Sequence, residues 1–155
     1  MEKLTIQQLA TLVSNKTHFE TPNSNISECI GFYEQEDIIW LCFERIYSKM
    51  NPKDRIWFKS TDCTPKLHNI NCLTKTITHN GEKFSPVAKL CAMLWKDYPI
   101  QNYDENYLGD LEITVINICS SLDTLPYDMA LKLAEWHINF NGIPEGLYID
   151  KNTFK

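Results

Sequence analysis

The chain has 155 residues, 43% of them hydrophobic and 23% charged, with four Trp, seven Tyr and seven Phe. That is enough core material for one folded domain and too much for a disordered segment. The net charge of −5 is uneven: residues 51–90 carry seven Lys/Arg against three Asp/Glu, while both flanks are acidic, and no apolar run approaches the ~18 residues of a membrane span.

In chain order, Thr5 is placed to cap a first helix, because Ile6, Leu9, Leu12 and Val13 recur at helical spacing. This opening segment interrupts its apolar pattern with Gln and Thr, unlike a signal peptide. The expected compartment is therefore the cytoplasm. There the six cysteines (Cys29, Cys42, Cys63, Cys72, Cys91 and Cys119) are expected to remain thiols. Residues 15–25 are polar and read as a loop. Ile26 to Tyr33 reads as a strand.

From Glu36 to Met50, the positions Ile39, Cys42, Phe43, Ile46, Tyr47 and Met50 trace one face of an amphipathic helix, which Asn51-Pro52 would end. Arg55 to Lys59, RIWFK, reads as a strand. Residues 60–72 are polar and broken by proline, and read as a loop. The segment around Asn80-Gly81 predicts a hairpin, since both central residues of such a turn need positive φ. Ser85-Pro86 then starts a helix as cap and first residue, with Val87, Leu90, Cys91, Leu94 and Trp95 on one face and a close at Asp97 to Pro99. Residues 108–122 fit a helix by period and a buried strand by their β-branched content. The length of the run tips the reading towards helix. A last helix is expected from about Pro126 to Phe140, stopped at Asn141-Gly142 and largely buried through Met129, Leu133, Trp136 and Phe140. A Pro-Glu-Gly turn and a short strand follow it. The reading is a single α+β domain spanning residues 1–155, with this helix at its centre. Cys42 and Cys91 are small core residues in it.

Chemistry is sparse. Cys63, His68, Cys72 and His79 have the residue types of a zinc site but lack the tight paired spacing such sites use. No nucleophile elbow, metalloprotease motif or phosphate loop is present, and the five glycines do not cluster. Glu135, Trp136 and His137 are adjacent, so on a helix they point to different faces. His137 reads as a residue that bonds a backbone group at a packed junction. The expectation is a protein with no catalytic residues, no metal and no cofactor.

A resemblance enters through Leu125, Pro126, Lys132, Leu133, Glu135, Trp136, His137, Gly142, Gly146, Leu147, Ile149, Asp150, Asn152 and Thr153. This run resembles the tail of small uncharacterised proteins encoded by phages and mobile elements. The segment from Asn80 to Pro86 is similar to a second feature of the same proteins. Those tails often read Trp-His-Phe-Asp where this chain has Trp136-His137-Ile138-Asn139. The resemblance covers about the last half of the chain and carries no assigned activity or catalytic residues. It implies an accessory protein that binds and inhibits a host defence macromolecule, most sharply an anti-CRISPR inhibitor of an RNA-guided nuclease. The alternatives are an enzyme acting on nucleotides or RNA through an unfamiliar site, and a DNA-binding regulatory or structural phage protein.

The expected partner is a host protein or ribonucleoprotein, and no membrane is involved. Its phosphates or carboxylates would be met by Lys53, Arg55, Lys59 and Lys66 in the basic middle of the chain. Trp57 and Phe58, interleaved with these cations, raise direct RNA binding as a lesser reading, although strand alternation would send one of the two inward. The acidic surface of residues 97–128 is the competing contact.

Overall fold

The computed structural model describes residues 3–23, 25–44, 55–95, 105–121 and 123–153. The fold is α+β, with helices, a mixed sheet of six strands and a separate hairpin. Its packing divides into two compact units. The first is Met1–His68 with Asn141–Lys155, and the second is Asn69–Phe140.

In the first unit, helix α1 (Ile6–Ser14) begins at Thr5, whose hydroxyl accepts from the Gln8 amide while the Gln8 side chain accepts from the Thr5 amide. This reciprocal capping box satisfies two amides that the first turn would otherwise leave open. Leu9 and Leu12 on α1 are buried. The strands are β1 (His18–Glu20), β2 (Ile26–Gln35), β3 (Ile38–Glu44), β4 (Arg55–Lys59) and β5 (Thr64–Leu67). The last strand of the chain, Ile149–Asp150, completes the sheet as β8, in the order β4-β3-β2-β1-β5-β8. Among the described residues, only the β5–β8 pairing is parallel. Phe19, Leu41, Phe43 and Leu67 fill this unit's core, where Phe43 lies edge-on to Phe19, with ring centroids 6.1 Å apart.

Three readings change here. The helix expected from Glu36 to Met50 is instead the turn Glu36-Asp37 followed by β3, and Ile46, Tyr47 and Met50 lie outside the described residues. The run Ile38–Phe43 is apolar at every position, so it satisfies a helical spacing and a strand equally well. Leu41 and Phe43 point into the core, and on the outer face Cys42 is covered while Trp40 is half-buried. The turn escaped notice because Glu36 and Asp37 adopt φ of 52° and 60° without the usual Asn-Gly. The loops expected at 15–25 and 60–72 supply β1 and β5. β1 has three residues and one buried side chain, Phe19, too short for a period. β5 carries Pro65 inside it, which argued for a break.

In the second unit, strands β6 (Ile77–His79) and β7 (Glu82–Phe84) pair antiparallel around Asn80 and Gly81, at φ 50° and 83°. Helix α2 (Pro86–Leu94) starts with Ser85 as cap and Pro86 first. The close expected at Asp97 to Pro99 lies outside the described residues. Residues 105–119 form helix α3 (Glu105–Cys119), so the ambiguous segment is helical from residue 108 to Cys119. Val87, Leu90 and Cys91 of α2 share a core with Leu111 and Val115 of α3.

Helix α4 (Tyr127–Glu135) contributes Met129 and Leu133 to that core. It ends earlier than the glycine stop predicts. The His137 amide donates to the Ala134 carbonyl and the Ile138 amide to the Leu133 carbonyl, both at 2.9 Å, and His137 sits at φ 56°. These two bonds and the buried Leu133 and Ile138 form a Schellman motif, with histidine in the place usually held by glycine. The left-handed conformation costs a side-chain-bearing residue roughly 1–2 kcal/mol. The helix is therefore shorter than predicted, and its buried face serves the core of the second unit.

Candidate functional site

Strand β4 alternates as its sequence requires. Arg55, Trp57 and Lys59 are exposed, while Ile56 and Phe58 are half-buried and pack against the first unit's core. Of the Trp57 and Phe58 pair, it is thus Trp57 that faces outward. Register then decides its companions. Trp57 lies opposite Cys42, Lys59 opposite Trp40, and Arg55 opposite Glu44. On the next strand, Tyr33 lies opposite Trp40. Residues directly opposite share a face, so Tyr33, Trp40, Trp57, Arg55 and Lys59 stand together on the outer side of β2, β3 and β4. Contacts bear this out: the Tyr33 and Trp57 rings meet edge to face at 4.9 Å, and the Lys59 ammonium lies 5.9 Å from the Trp40 ring. Tyr33 is 40% exposed and Trp57 39%, far more than aromatic side chains that serve a core.

Of the four predicted contact residues, this face brings two together. Lys53 lies outside the described residues. Lys66 is a correction: it is 9% exposed because the expected loop is strand β5, paired with β1 on one side and β8 on the other. Its charge acts inward, where it joins burial in lowering the Lys151 ammonium to about 8. Tyr33 and Trp40 were missed. Their signal was available, since reading β3 as a strand would have placed both beside Trp57.

The second unit holds a groove of about 340 Å³. Phe84 and Trp136 form its floor, with ring centroids 5.0 Å apart. Two ion pairs border it. Lys89 on α2 meets Glu82 on β7 at 2.7 Å, and Lys132 meets Glu135 on α4 at 2.6 Å. The Lys89 ammonium also stands 4.0 Å from the centre of the Phe84 ring. His79 lines the wall, its ring edge-on to that of the buried His137 at 5.0 Å. The groove thus gathers residues from the two segments of the resemblance, the hairpin and the end of α4. No local pattern announces their meeting, because they lie about fifty residues apart in the chain.

The other sequence candidates do not assemble. Cys63 and His68 belong to the first unit, and Cys72 and His79 to the second. Among the described residues, no three His, Cys, Asp or Glu side chains converge as a metal site. All six cysteines are buried thiols. Burial pushes Cys29, Cys91 and Cys119 up to about 11 and Cys63 to about 12, and it raises Cys42 as well, against a smaller pull from Arg55. Thiols held protonated in this way are poor nucleophiles at neutral pH. Of the acidic candidates between 97 and 128, Asp110, Asp123 and Asp128 are exposed. Among the described residues, no helix is long and apolar enough to cross a membrane. Compared with protein-family models, curated proteins and solved structures, the chain finds no match in any of the three.

Proposed function

We propose that the protein is a phage or mobile-element accessory protein that binds a host defence macromolecule through the outer face of β2, β3 and β4. The sharpest form is an anti-CRISPR inhibitor of an RNA-guided nuclease in the cytoplasm. One observation carries the reading: exposed Tyr33 and Trp57 and half-buried Trp40 share one sheet face with Arg55 and Lys59. Trp, Tyr and Arg are the residue types that dominate binding energy at protein interfaces. Cations at the two ends of β4 suit a partner that presents carboxylates or phosphates, and would speed its encounter. The resemblance supplies the phage setting, and the inhibitory role is inferred from it.

The test is capture of partners from a host lysate, comparing the parent with a variant carrying Arg55→Glu, Trp57→Ala and Lys59→Glu. A defence ribonucleoprotein retained by the parent and lost by the variant supports the proposal. Equal capture by both removes the sheet face and leaves the acidic surface of residues 97–128 as the contact. Turnover of nucleotides or RNA by the protein alone would favour an enzyme. A salt-sensitive shift of bare DNA would favour a DNA-binding phage protein.

A further inference from the structure

We infer that the outer edge of β4 docks an extended strand of the partner with acidic residues at both ends, which joins the sheet beside β4. The inference deepens the reading of the sheet face as a contact surface, and rests on it. It names the edge that is used and the kind of chain that fits there.

Among the described residues, β4 pairs with β3 alone and stands last in the order of the sheet. A strand in that place directs one row of N–H and carbonyl groups away from its neighbour, a template for another chain. The core beneath it is also incompletely covered. Ile56 lies opposite Phe43, and Phe58 opposite Leu41. All four belong to the same core. Phe43 and Leu41, with a strand on either side, are 1% and 0% exposed. Ile56 and Phe58, with a strand on one side only, are half-buried. Apolar side chains on the inner face of an added strand would complete that burial.

The outer face fixes the rest of the incoming chain. Arg55, Trp57 and Lys59 occupy alternate positions of β4, and the residues of a neighbouring strand stand directly opposite them. β3 shows what suits them. It sets Glu44 opposite Arg55, and Trp40 opposite Lys59 with the ammonium 5.9 Å from the ring. A chain on the outer edge that brings a carboxylate at each end and an aromatic ring in the middle meets both cations and Trp57. The pattern is acid, apolar, aromatic, apolar, acid, over the five residues of β4. It reads alike in both directions, so it serves parallel and antiparallel addition. A second copy of this chain does not supply it. Two β4 strands paired antiparallel about Trp57 would set Arg55 against Lys59 at both ends, and like charges directly opposite are destabilising. The edge cations thus reject a copy of themselves and admit an acidic strand. An RNA strand would meet the cations and rings and leave the half-buried Ile56 and Phe58 uncovered.

Fluorescence anisotropy with a labelled Glu-Val-Tyr-Val-Glu peptide tests the edge, with Lys-Val-Tyr-Val-Lys as control. The acidic peptide is expected to bind at least about tenfold more tightly, the effect of reversing both cross-strand charge pairs. Arg55→Glu with Lys59→Glu, both at exposed positions, should invert that preference, a result that also shows the variant to be folded. Backbone pairing has its own signature, because only alternate N–H groups of an added strand point at β4. N-methylation of both valines, or of the tyrosine alone, therefore removes edge bonds in one case and spares them in the other. One form should bind about as well as the parent peptide, and the other should lose at least about tenfold. Equal binding of the two forms would overturn the edge while leaving the face, whose own test is lysate capture. Peptide binding with the expected N-methyl contrast supports the edge even if no defence ribonucleoprotein is captured. The inference is also overturned if the acidic peptide does not bind at millimolar concentration, if oligouridylate binds more tightly than the peptide, or if the protein alone sediments as a dimer that the peptide does not dissociate.

Discussion

The sheet face of the first unit and the groove of the second use the same residue types in opposite ways. On the sheet, Tyr33 and Trp57 are exposed and Trp40 is half-buried, and Arg55 and Lys59 make no ion pair among the described residues. In the groove, Phe84 and Trp136 are nearly covered and both lysines are held by glutamates. Charge left open acts at a distance and guides a large partner. Charge balanced in place contributes little steering, and it discriminates between ligands that can and cannot replace both members of a pair. The contrast is between cations left unpaired beside exposed aromatic rings and cations paired beside covered ones.

The largest effects should come from the two cores beneath these sites. Phe43→Ala in the first unit and Leu133→Ala in the second should each cost roughly 2–5 kcal/mol in chemical denaturation, the usual range for emptying a packed position. Trp136→Ala belongs to the same class and also removes the groove floor. An unchanged thermal midpoint in Trp136→Ala would show that α4 does not carry the second core.

Next in size is the sheet face itself. Trp57→Ala alone should weaken capture of the partner by roughly 2–4 kcal/mol, as a central aromatic anchor does. Because Trp57 is partly exposed and packs edge to face on Tyr33, folding stability should fall by only about 1 kcal/mol. Surface plasmon resonance against a captured partner and a thermal melt would give the two numbers. A variant that loses both together would turn the patch into a structural feature and erase the contrast with the groove.

Alkaline pH should act on both units. Thiols whose folded values lie above the ordinary 9.0, namely Cys29 and Cys63 in the first unit and Cys91 and Cys119 in the second, stay protonated after their unfolded counterparts have ionised. The folded state then binds more protons, so the stability that is fully present below about pH 9 is lost as pH rises towards 11 or 12. Lys151 pulls the other way. Lowered to about 8 from 10.5, it relieves an unfavourable charge in the folded state as pH climbs between those values. Denaturation midpoints under reducing conditions should fall from pH 9 to 11. Replacing Cys63 with Ala should shallow the decline, and replacing Lys151 with Met should steepen it.

The smallest effect tests the two turns against each other. The hairpin of the second unit uses Asn80-Gly81, and that of the first places Glu36-Asp37 in the same left-handed conformations. Glu36→Asn with Asp37→Gly should therefore stabilise the protein by about 1 kcal/mol, by relieving strain at positions that favour those residues. A loss of stability would mean that the acidic turn makes contacts worth more than its strain.

Several parts of the molecule were legible from local chemistry. Thr5 announces α1, Asn80-Gly81 announces the β6–β7 turn, and Ser85-Pro86 announces α2, because in each case neighbouring residues make the decisive bond or set the decisive angle. RIWFK foretold that Trp57 and Phe58 would part company, since alternation is a property of any strand. Other features depend on partners distant in the chain. Ile38–Phe43 became a strand because β2 and β4 pair with it on either side, a condition that an all-apolar run cannot reveal about itself. Thr64–Leu67 became a strand, and Lys66 a buried cation, through pairing with β1 and with β8, which lies more than eighty residues further on. The end of α4 at His137 was settled by the burial of Leu133 and Ile138, which outweighs the cost of a left-handed histidine and overrides the glycine stop at Gly142. By itself the sequence determined the Asn80-Gly81 turn, the starts of α1 and α2 and the alternation along β4, because those are short-range choices of the backbone. Tertiary structure alone decided which aromatics share a face with Arg55 and Lys59 and which line a groove with Lys89 and Lys132, because register and packing join residues that no local rule connects.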